Sequence, residues 1–337
     1  MNGQIPEQFK GAMYDVEHAL GMYAYSYCIL PAEAIYEEEL LVLHQKVIQS
    51  CHIYMIGLLP NIEIEKASQK DGAFILTVSM LGRNYDLAWP IPNGAKLQHT
   101  ECGFFLENES GEQFGPSQEM ILQSLTRLSG GVPFEVQYIG QAYGQDGARN
   151  AIDRLRKHET LQKISLKGIP NGFHLSILLL EIQPNNQLFT VFNPWAEKRD
   201  EEESSARIEA GFNKIRGTTE QEQVALYEAA LIRYFYPKYN KIFKDSFPST
   251  NLRILRDCYE KDFSAVIAEI CFDDFPFSLY SDSIKLAPFH IVRHHLHEDS
   301  ARRVFFGMDW THSQSGPQEN NTAKDALQKT KTGEEHE

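Results

Sequence analysis

Apolar and polar residues follow two different spacings along the first hundred positions. Up to about residue 60 the apolar side chains recur mostly at helical intervals, most clearly in residues 37–48, so this part is predicted to be largely helical. Three later segments show strand-like alternation or β-branched apolar runs: residues 62–65, 74–78 and 84–89. Residues 1–97 are therefore expected to form an accessory α/β region, and no motif in them assigns it a role.

Residues 98–250 alternate between strand and helix patterns. A short strand is predicted at 134–139, ending at Gly140, and the continuously apolar run 173–180 predicts a strand covered on both faces. Helices are predicted at about 148–164, at 204–216 and from 219 to about 235. The last helix begins with a capping box, Thr219 with Glu222, and ends before Pro237. The pattern indicates an α+β domain.

Strand patterns return after residue 250, at 265–270, 277–280 and 303–306. These strands either pair with the N-terminal strands in one β-rich body interrupted by the central domain, or form a separate module, and the pattern leaves both arrangements open. After Trp310 almost no apolar residue remains, which predicts a disordered tail. The expected organisation is an accessory region at 1–97, a central domain at 98–250, a β-rich region at 251–311 and a tail at 312–337.

Composition narrows the class of protein. The chain has 337 residues and is 42% hydrophobic, which allows a substantial core in about two domains. No apolar run approaches the roughly 20 residues needed to cross a bilayer, and the N-terminus lacks a secretion signal, so we expect a cytoplasmic protein without membrane contact. The five cysteines never form a C-x-x-C pair, which favours reduced thiols over disulfides or a zinc knuckle.

Charge is distributed unevenly along the chain. The formal net charge of −14 argues against nucleic-acid binding, which draws on Lys and Arg. Residues 149–167 nevertheless carry six basic residues against two acids, and residues 233–244 carry four basic residues and no acid. A basic face on an acidic body predicts a defined nucleic-acid contact, although solvated helix faces would produce the same pattern. The candidate nucleic-acid-binding residues are Arg149, Arg156, Lys157, Lys163, Lys238 and Lys241.

Three residues carry chemistry that suits phosphate substrates. Arg154 and His158 are four apart in the predicted helix, so both side chains can reach one phosphate. Glu228 lies in an apolar helix, where an unpaired carboxylate is costly to bury. Its partner is either Mg²⁺, which takes one or two carboxylates with water and phosphate oxygens, or a buried arginine. Spacing alone leaves both partners open.

The motifs of the central region resemble those of the GIY-YIG endonuclease superfamily, in that family's order. The resemblance rests on Tyr138-Ile139-Gly140, on Arg154 with His158, and on Glu228 followed by Asn240 after Pro237. It implies a small antiparallel sheet flanked by helices, set between the β-rich flanking regions. It also implies hydrolysis of a phosphodiester of nucleic acid by an activated water, with Mg²⁺ or Mn²⁺ as the cofactor and no covalent intermediate.

The same resemblance implies a role for each matched residue. Glu228 would hold the metal, and Arg154 would stabilise charge on the pentavalent phosphate. Tyr138 would orient or deprotonate the attacking water, His158 would assist proton transfer, and Asn240 would brace the site. A tyrosine with the ordinary pKa of ~10 is a poor base at neutral pH. Either a nearby cation lowers the pKa of Tyr138, or Tyr138 only positions the water.

The family's first signature, G-I-Y, has no counterpart closely preceding Tyr138. The nearest upstream candidate is Gly103-Phe104-Phe105, which has Phe in place of the tyrosine, and Tyr143 is a candidate replacement for the missing hydroxyl. Nucleic acid, DNA in the first instance, is the expected substrate for restriction, defence or repair, and the flanking regions are candidates for contacts with a second copy or another protein. The alternative is a catalytically weakened nucleic-acid-binding or assembly protein on a nuclease-like fold.

A histidine cluster near residue 290 supplies a third interpretation, a zinc protein. His290 and His294 have the spacing of two metal ligands on a helix. Pro288 and the β-branched Ile291 and Val292 favour a strand or turn instead, and a strand would hold the two histidines too far apart for one ion. The strand or turn is the favoured interpretation.

Overall fold

The protein combines helices with sheets, so the α+β prediction is confirmed. The computed structural model describes residues 14–92, 94–100, 103–142, 151–183, 187–197, 201–248, 251–260 and 263–296. The strands are β1 (Val16–Pro31), β2 (Ile53–Pro60), β3 (Ile62–Lys70), β4 (Ala73–Met80), β5 (Arg83–Pro90), β6 (Lys96–Thr100), β7 (Gly103–Glu107), β8 (Gln113–Phe114), β9 (Val132–Gln141), β10 (Phe173–Ile182), β11 (Gln187–Phe192), β12 (Ala265–Ile270), β13 (Phe277–Tyr280) and β14 (His290–His295). The helices are α1 (Glu38–Ser50), α2 (Gln118–Ser129), α3 (Ala151–Leu155), α4 (Glu159–Leu166), α5 (Glu201–Gly217), α6 (Glu220–Phe235) and α7 (Arg253–Glu260).

One large mixed sheet of eight strands organises the fold. Its order is β13-β9-β2-β10-β1-β12-β14, and β11 pairs with β1 beside this path. Strands β9, β2, β10 and β1 are antiparallel neighbours, whereas β13 is parallel to β9 and β12 is parallel to β1. The C-terminal β12 therefore pairs directly with the N-terminal β1, as in the first of the two arrangements, but β9 and β10 of the central region belong to the same sheet and do not interrupt it.

Strand β2 lies near the centre of this sheet because its side chains are apolar in both directions. All eight of its residues are buried. Ile53 and Met55 join a core with α2, α6 and α7, whereas Tyr54 and Ile56 join a second core with α1, α3 and α4. A strand with both faces covered reads as a nearly continuous apolar run, and β2 follows that rule. The helices thus form a layer on each face of the sheet.

The predicted helical start of the chain is wrong for residues 16–31. These residues form β1, which pairs with β10, β11 and β12. Hydrogen bonding along both edges of the strand outweighs a weak local helix preference. The later part of the prediction holds, since α1 covers Glu38–Ser50, and the three strands predicted between residues 62 and 89 are confirmed as β3, β4 and β5.

The single helix predicted at about 148–164 is two short helices in the described part of this segment. Helix α3 ends at Leu155, and α4 begins at Glu159 with His158 as its N-cap residue. Arg154 and His158 therefore do not project from one helix face, which corrects the expected geometry. By contrast, α6 begins and ends as predicted, with the Thr219 and Glu222 capping box fully formed.

Residues 61–131 form an insertion between β2 and β9. They contribute two small antiparallel sheets, β3-β4-β5 and β6-β7-β8, and helix α2. The Gly103-Phe104-Phe105 segment lies in β7 and pairs only with β6 and β8 among the described strands. It is therefore not the neighbour of the strand that carries Tyr138, and its assignment as the first signature is wrong.

His290 and His294 lie in strand β14, as the favoured interpretation of that segment predicts. The strand predicted at 303–306, the tail at 312–337, Tyr143 and Arg149 lie outside the described residues. Within the described ranges, no helix has both the length and the apolar character needed to cross a membrane.

Candidate active site

The candidate site begins with two tyrosines on neighbouring antiparallel strands. In the pairing of β2 with β9, Tyr54 lies opposite Gly140 and Ile56 lies opposite Tyr138. The two tyrosine rings stack, with centroids 6.2 Å apart and an interplanar angle of 26°. A tyrosine hydroxyl from each strand therefore reaches the same region.

Gly140 leaves the space that these two rings occupy. A Cβ atom built at this position would lie 2.5 Å from the Tyr54 hydroxyl oxygen and 2.9 Å from a ring carbon of Tyr138. Real Cβ atoms are almost never this close to other heavy atoms, so glycine is required by the packing and not by the backbone conformation.

The third ring of the site belongs to His158. Its centroid lies 4.8 Å from that of Tyr138 and 5.6 Å from that of Tyr54. Its Nδ1 accepts a hydrogen bond from the Leu161 backbone N–H at 3.3 Å, as expected of the residue that caps α4. Burial, and then the Arg154 charge, lower the pKa of His158 below its ordinary value. The ring is therefore neutral at pH 7 and carries its proton on Nε2, which makes it a hydrogen-bond donor to a bound anion.

Glu228 supplies the carboxylate. It lies on α6 and is only 9% exposed. Burial raises the pKa of Glu228 to about 7, and the charge of Arg154 and a hydrogen bond from the Gln141 backbone only partly oppose this effect. Gln141 directly follows Gly140 on β9, so the carboxylate lies at the end of the strand that carries Tyr138. A cation bound beside this carboxylate would stabilise its ionised form, which burial disfavours.

Arg154 supplies a positive charge that acts on every other titratable residue of the candidate site. Its guanidinium influences the pKa of Glu228, Tyr54, Tyr138 and His158, which places it close to all four. The side chain is exposed, so it lies at the mouth of the site. The sequence left open whether the partner of Glu228 is a metal or a buried arginine. An arginine, Arg154, does lie near Glu228, but its side chain is exposed to solvent and not buried.

The hydroxyl of Tyr54 is buried and makes no hydrogen bond with any described residue. Arg154 and Tyr138 approach it closely enough to influence its pKa, but neither completes a hydrogen bond of good geometry. Burial is the largest cause that raises the pKa of Tyr54, and it raises the pKa of Tyr138 as well. Leaving a hydroxyl unpaired costs about 1–3 kcal/mol, which is a typical expense at a site that binds a ligand.

Asn240 holds the tyrosine strand in place. Its side-chain oxygen accepts from the Ile139 N–H at 2.9 Å, and its amide donates to the Ile139 carbonyl at 2.8 Å. The neighbouring Tyr239 N–H donates to the Gln137 carbonyl at 3.1 Å. The segment after α6 therefore holds β9 on both sides of Tyr138.

Tyr54 was not predicted from the sequence, because it lies far from Tyr138 along the chain. The signal was His52-Ile53-Tyr54 at the start of an apolar run, in a region that otherwise contained no motif. An insertion of two sheets and a helix separates this run from Tyr138 along the chain but not in space.

Most of the expected basic residues are exposed. Lys157, Lys163, Lys238 and Lys241 all face solvent. Arg156 is half-buried, and its Nε donates to the Ile35 carbonyl at 2.7 Å, so its main contact joins α3 to the turn before α1.

The donor set around Glu228 suits a hard divalent cation held partly by water. No cluster of three or more His, Cys, Asp or Glu that could hold a metal occurs in the described ranges. Mg²⁺ needs no such cluster, because it binds through one or two carboxylates together with water and phosphate oxygens. His290 and His294 of β14 bond elsewhere: His290 bonds to Tyr234 and to the Leu279 carbonyl, and His294 bonds to the Ala230 carbonyl. This disfavours the zinc alternative.

Comparison of the chain with protein-family models, with curated proteins and with solved structures found no match.

Proposed function

We propose that the protein is a divalent-metal-dependent endonuclease of the GIY-YIG type, which hydrolyses phosphodiester bonds of nucleic acid. The observation that carries the proposal is the convergence of two tyrosines, a neutral histidine and an arginine on one buried carboxylate with a pKa of about 7. These groups come from β2, β9, α3, α4 and α6, so chance proximity along the chain does not account for them.

The position of Tyr54 strengthens the resemblance to the family. His52-Ile53-Tyr54 would correspond to the G-I-Y signature, with His in place of the glycine. The order β9-β2-β10, antiparallel throughout, supports the small sheet that the resemblance implies, here as part of a larger sheet. The weakened-protein alternative rested on the absence of a first tyrosine and on the net charge of −14; Tyr54 would supply that tyrosine, whereas the charge still favours the alternative.

In the proposed reaction the residues act mainly by position and charge. Arg154, exposed at the mouth of the site, would pair with the phosphate and stabilise the charge that develops on it. His158 would donate its Nε2 proton in a hydrogen bond to a phosphate oxygen. Glu228 would hold Mg²⁺ or Mn²⁺. When bound, such a cation neutralises phosphate charge and lowers the pKa of a coordinated water.

The tyrosines would orient the attacking water. Because the pKa of Tyr54 and the pKa of Tyr138 are both raised, both phenols are protonated at neutral pH and neither is a base in the free protein. Two hydroxyls on neighbouring strands would fix a water in line with the scissile bond, which is the kind of alignment that accelerates such a displacement.

The test is cleavage of plasmid, single-stranded DNA and RNA by the full chain with Mg²⁺ or Mn²⁺. We expect nicking that EDTA abolishes and that Glu228→Gln lowers by at least about a hundredfold. Glu209→Ala, an exposed acid on α5, is the matched control and should cleave normally. Binding without cleavage in the wild type would overturn the enzyme proposal and support the weakened binding protein instead.

A further inference from the structure

Two lysines from separate basic segments meet at one aromatic ring. The Nζ atom of Lys167 lies 5.5 Å from the ring centroid of Tyr239, and that of Lys238 lies 5.8 Å from it. The two ammonium groups are therefore at most about 11 Å apart, the sum of these distances. Cation–π contact with the shared ring positions them in spite of their mutual repulsion. We name Lys167, Lys238 and Tyr239 the lysine clamp.

The lysine clamp lies beside the candidate active site. Tyr239 is bonded through its N–H to the Gln137 carbonyl, and the next residue, Asn240, is bonded to Ile139. Both contacts flank Tyr138 on β9. A strand held between Tyr138 and Arg154 would therefore lead towards the clamp.

Two exposed apolar residues lie close to members of the lysine clamp along the chain. Leu166 directly precedes Lys167 and is 87% exposed, and Ile242 follows Lys241 and is 69% exposed. Large apolar side chains this exposed gain free energy if a partner covers them. A surface that carries both ammonium groups and exposed apolar side chains matches a strand of nucleic acid whose phosphates and bases are both accessible.

We propose that the lysine clamp, with Leu166 and Ile242, binds an unpaired strand, so that the substrate is single-stranded or has a single-stranded branch at the cleavage point. This inference rests on the proposed function and specifies its substrate. Regular duplex offers mainly phosphates to such a surface, because its bases are stacked and paired. Its phosphates would meet the lysines, but Leu166 and Ile242 would stay exposed.

The test measures binding of the full chain in EDTA, where cleavage does not compete. The probes are a labelled single-stranded oligonucleotide and the duplex of the same sequence, each titrated at several salt concentrations. The single strand should bind at least about tenfold more tightly than the duplex. Lys167→Ala with Lys238→Ala should reduce the slope of log affinity against log salt by about 1–2.

A second pair of substitutions tests the contribution of the exposed apolar side chains to single-strand binding. Leu166→Ser with Ile242→Ser should weaken single-strand binding roughly tenfold and leave duplex binding unchanged. The matched controls are Leu128→Ser, an exposed leucine on α2, and Lys66→Ala with Lys70→Ala on β3, none of which should alter either affinity.

The outcomes separate this inference from the proposed function. Equal binding of single strand and duplex, or variants without effect, in a protein that cleaves would overturn the inference and leave the nuclease standing. Selective single-strand binding through these residues, without cleavage in Mg²⁺, would overturn the nuclease proposal and leave the binding inference standing. Binding of the clamp to vesicles containing anionic lipid, with no affinity for the oligonucleotides, would show a membrane surface and would also overturn the inference.

Discussion

Glu228 is the residue whose environment most directly predicts a measurable effect. Its pKa of about 7 in the folded protein lies above the ordinary value of 4.5. The contribution of the protonated Glu228 side chain to the free energy of unfolding is fully present below pH 4.5. It is lost as pH rises through 7, because the carboxylate must then ionise while buried. A cation that binds the ionised form reverses this loss.

The prediction for Glu228→Gln concerns stability as a function of pH. The variant should gain stability over the wild type between pH 4.5 and about 7, levelling at about 3 kcal/mol above that range, since each pKa unit corresponds to about 1.4 kcal/mol. Urea unfolding at pH 4.5, 6 and 8 measures this difference. Adding Mg²⁺ at pH 8 should narrow the gap by stabilising only the wild type, whereas a gap that does not change with pH would contradict the burial of this carboxylate.

Tyr54→Phe should separate stability from function. The hydroxyl that it removes is buried without a hydrogen bond among the described residues, so the free energy of unfolding should stay constant or rise by about 1 kcal/mol. Cleavage should nevertheless fall roughly a hundredfold, because the hydroxyl would no longer orient the water. Single-turnover cleavage beside a thermal melt tests both parts, and normal cleavage by the variant would remove Tyr54 from the site.

Gly140→Ala should disturb the two tyrosine rings. Its added Cβ atom would overlap the Tyr54 ring, and relief of this overlap should cost about 1–3 kcal/mol of stability. Gly115→Ala is the matched control, since nothing lies within 4 Å of its Cβ position. Denaturant unfolding of both variants checks the prediction, and equal stability of the two would show that the rings move aside freely.

Among the elements, the segment after α6 fixes the strand that carries Tyr138. Asn240→Ala should cost about 2–4 kcal/mol, because it leaves both the N–H and the carbonyl of Ile139 without their buried partner. Cleavage at saturating substrate should fall with it, while Asn84→Ala on the exposed face of β5 should change neither property. Denaturant unfolding and cleavage assays on both variants test these two expectations. Full activity of Asn240→Ala together with the loss of stability would limit Asn240 to a structural role.

The elements that could be predicted from the sequence are those with local signals. Helix α6 follows from its capping box and from Pro237, and β10 follows from its apolar run. The break between α3 and α4 carried no such signal, because a histidine cap depends on the packing of its ring against Tyr54 and Tyr138. Strand β1 was missed for a similar reason, since its partners come from distant parts of the chain.

At the level of the molecule, the same limit explains the one residue of the candidate site, Tyr54, that the sequence did not indicate. Tyr138, Arg154, His158, Glu228 and Asn240 were chosen from local motifs, and the structure brings them together. Tyr54 joins them only through the pairing of β2 with β9, which no local pattern indicates. The same limit applies to charge, because two basic segments that are distant along the chain each place a lysine, Lys167 and Lys238, at the ring of Tyr239.

The insertion between β2 and β9 leaves the sheet and returns to it at adjacent strands. Its two small sheets and α2 therefore extend from the connection between two neighbouring strands, and β2 and β9 still pair from Ile53 to Leu58 with one irregularity between Ile56 and Gly57. The insertion joins β9 at Val132, whereas Tyr138 and Gly140 lie towards the other end of that strand, at Gln141. Under the proposed function, we expect substitutions on the insertion to change which partner or substrate the protein binds, and substitutions at Tyr54 or Tyr138 to change cleavage.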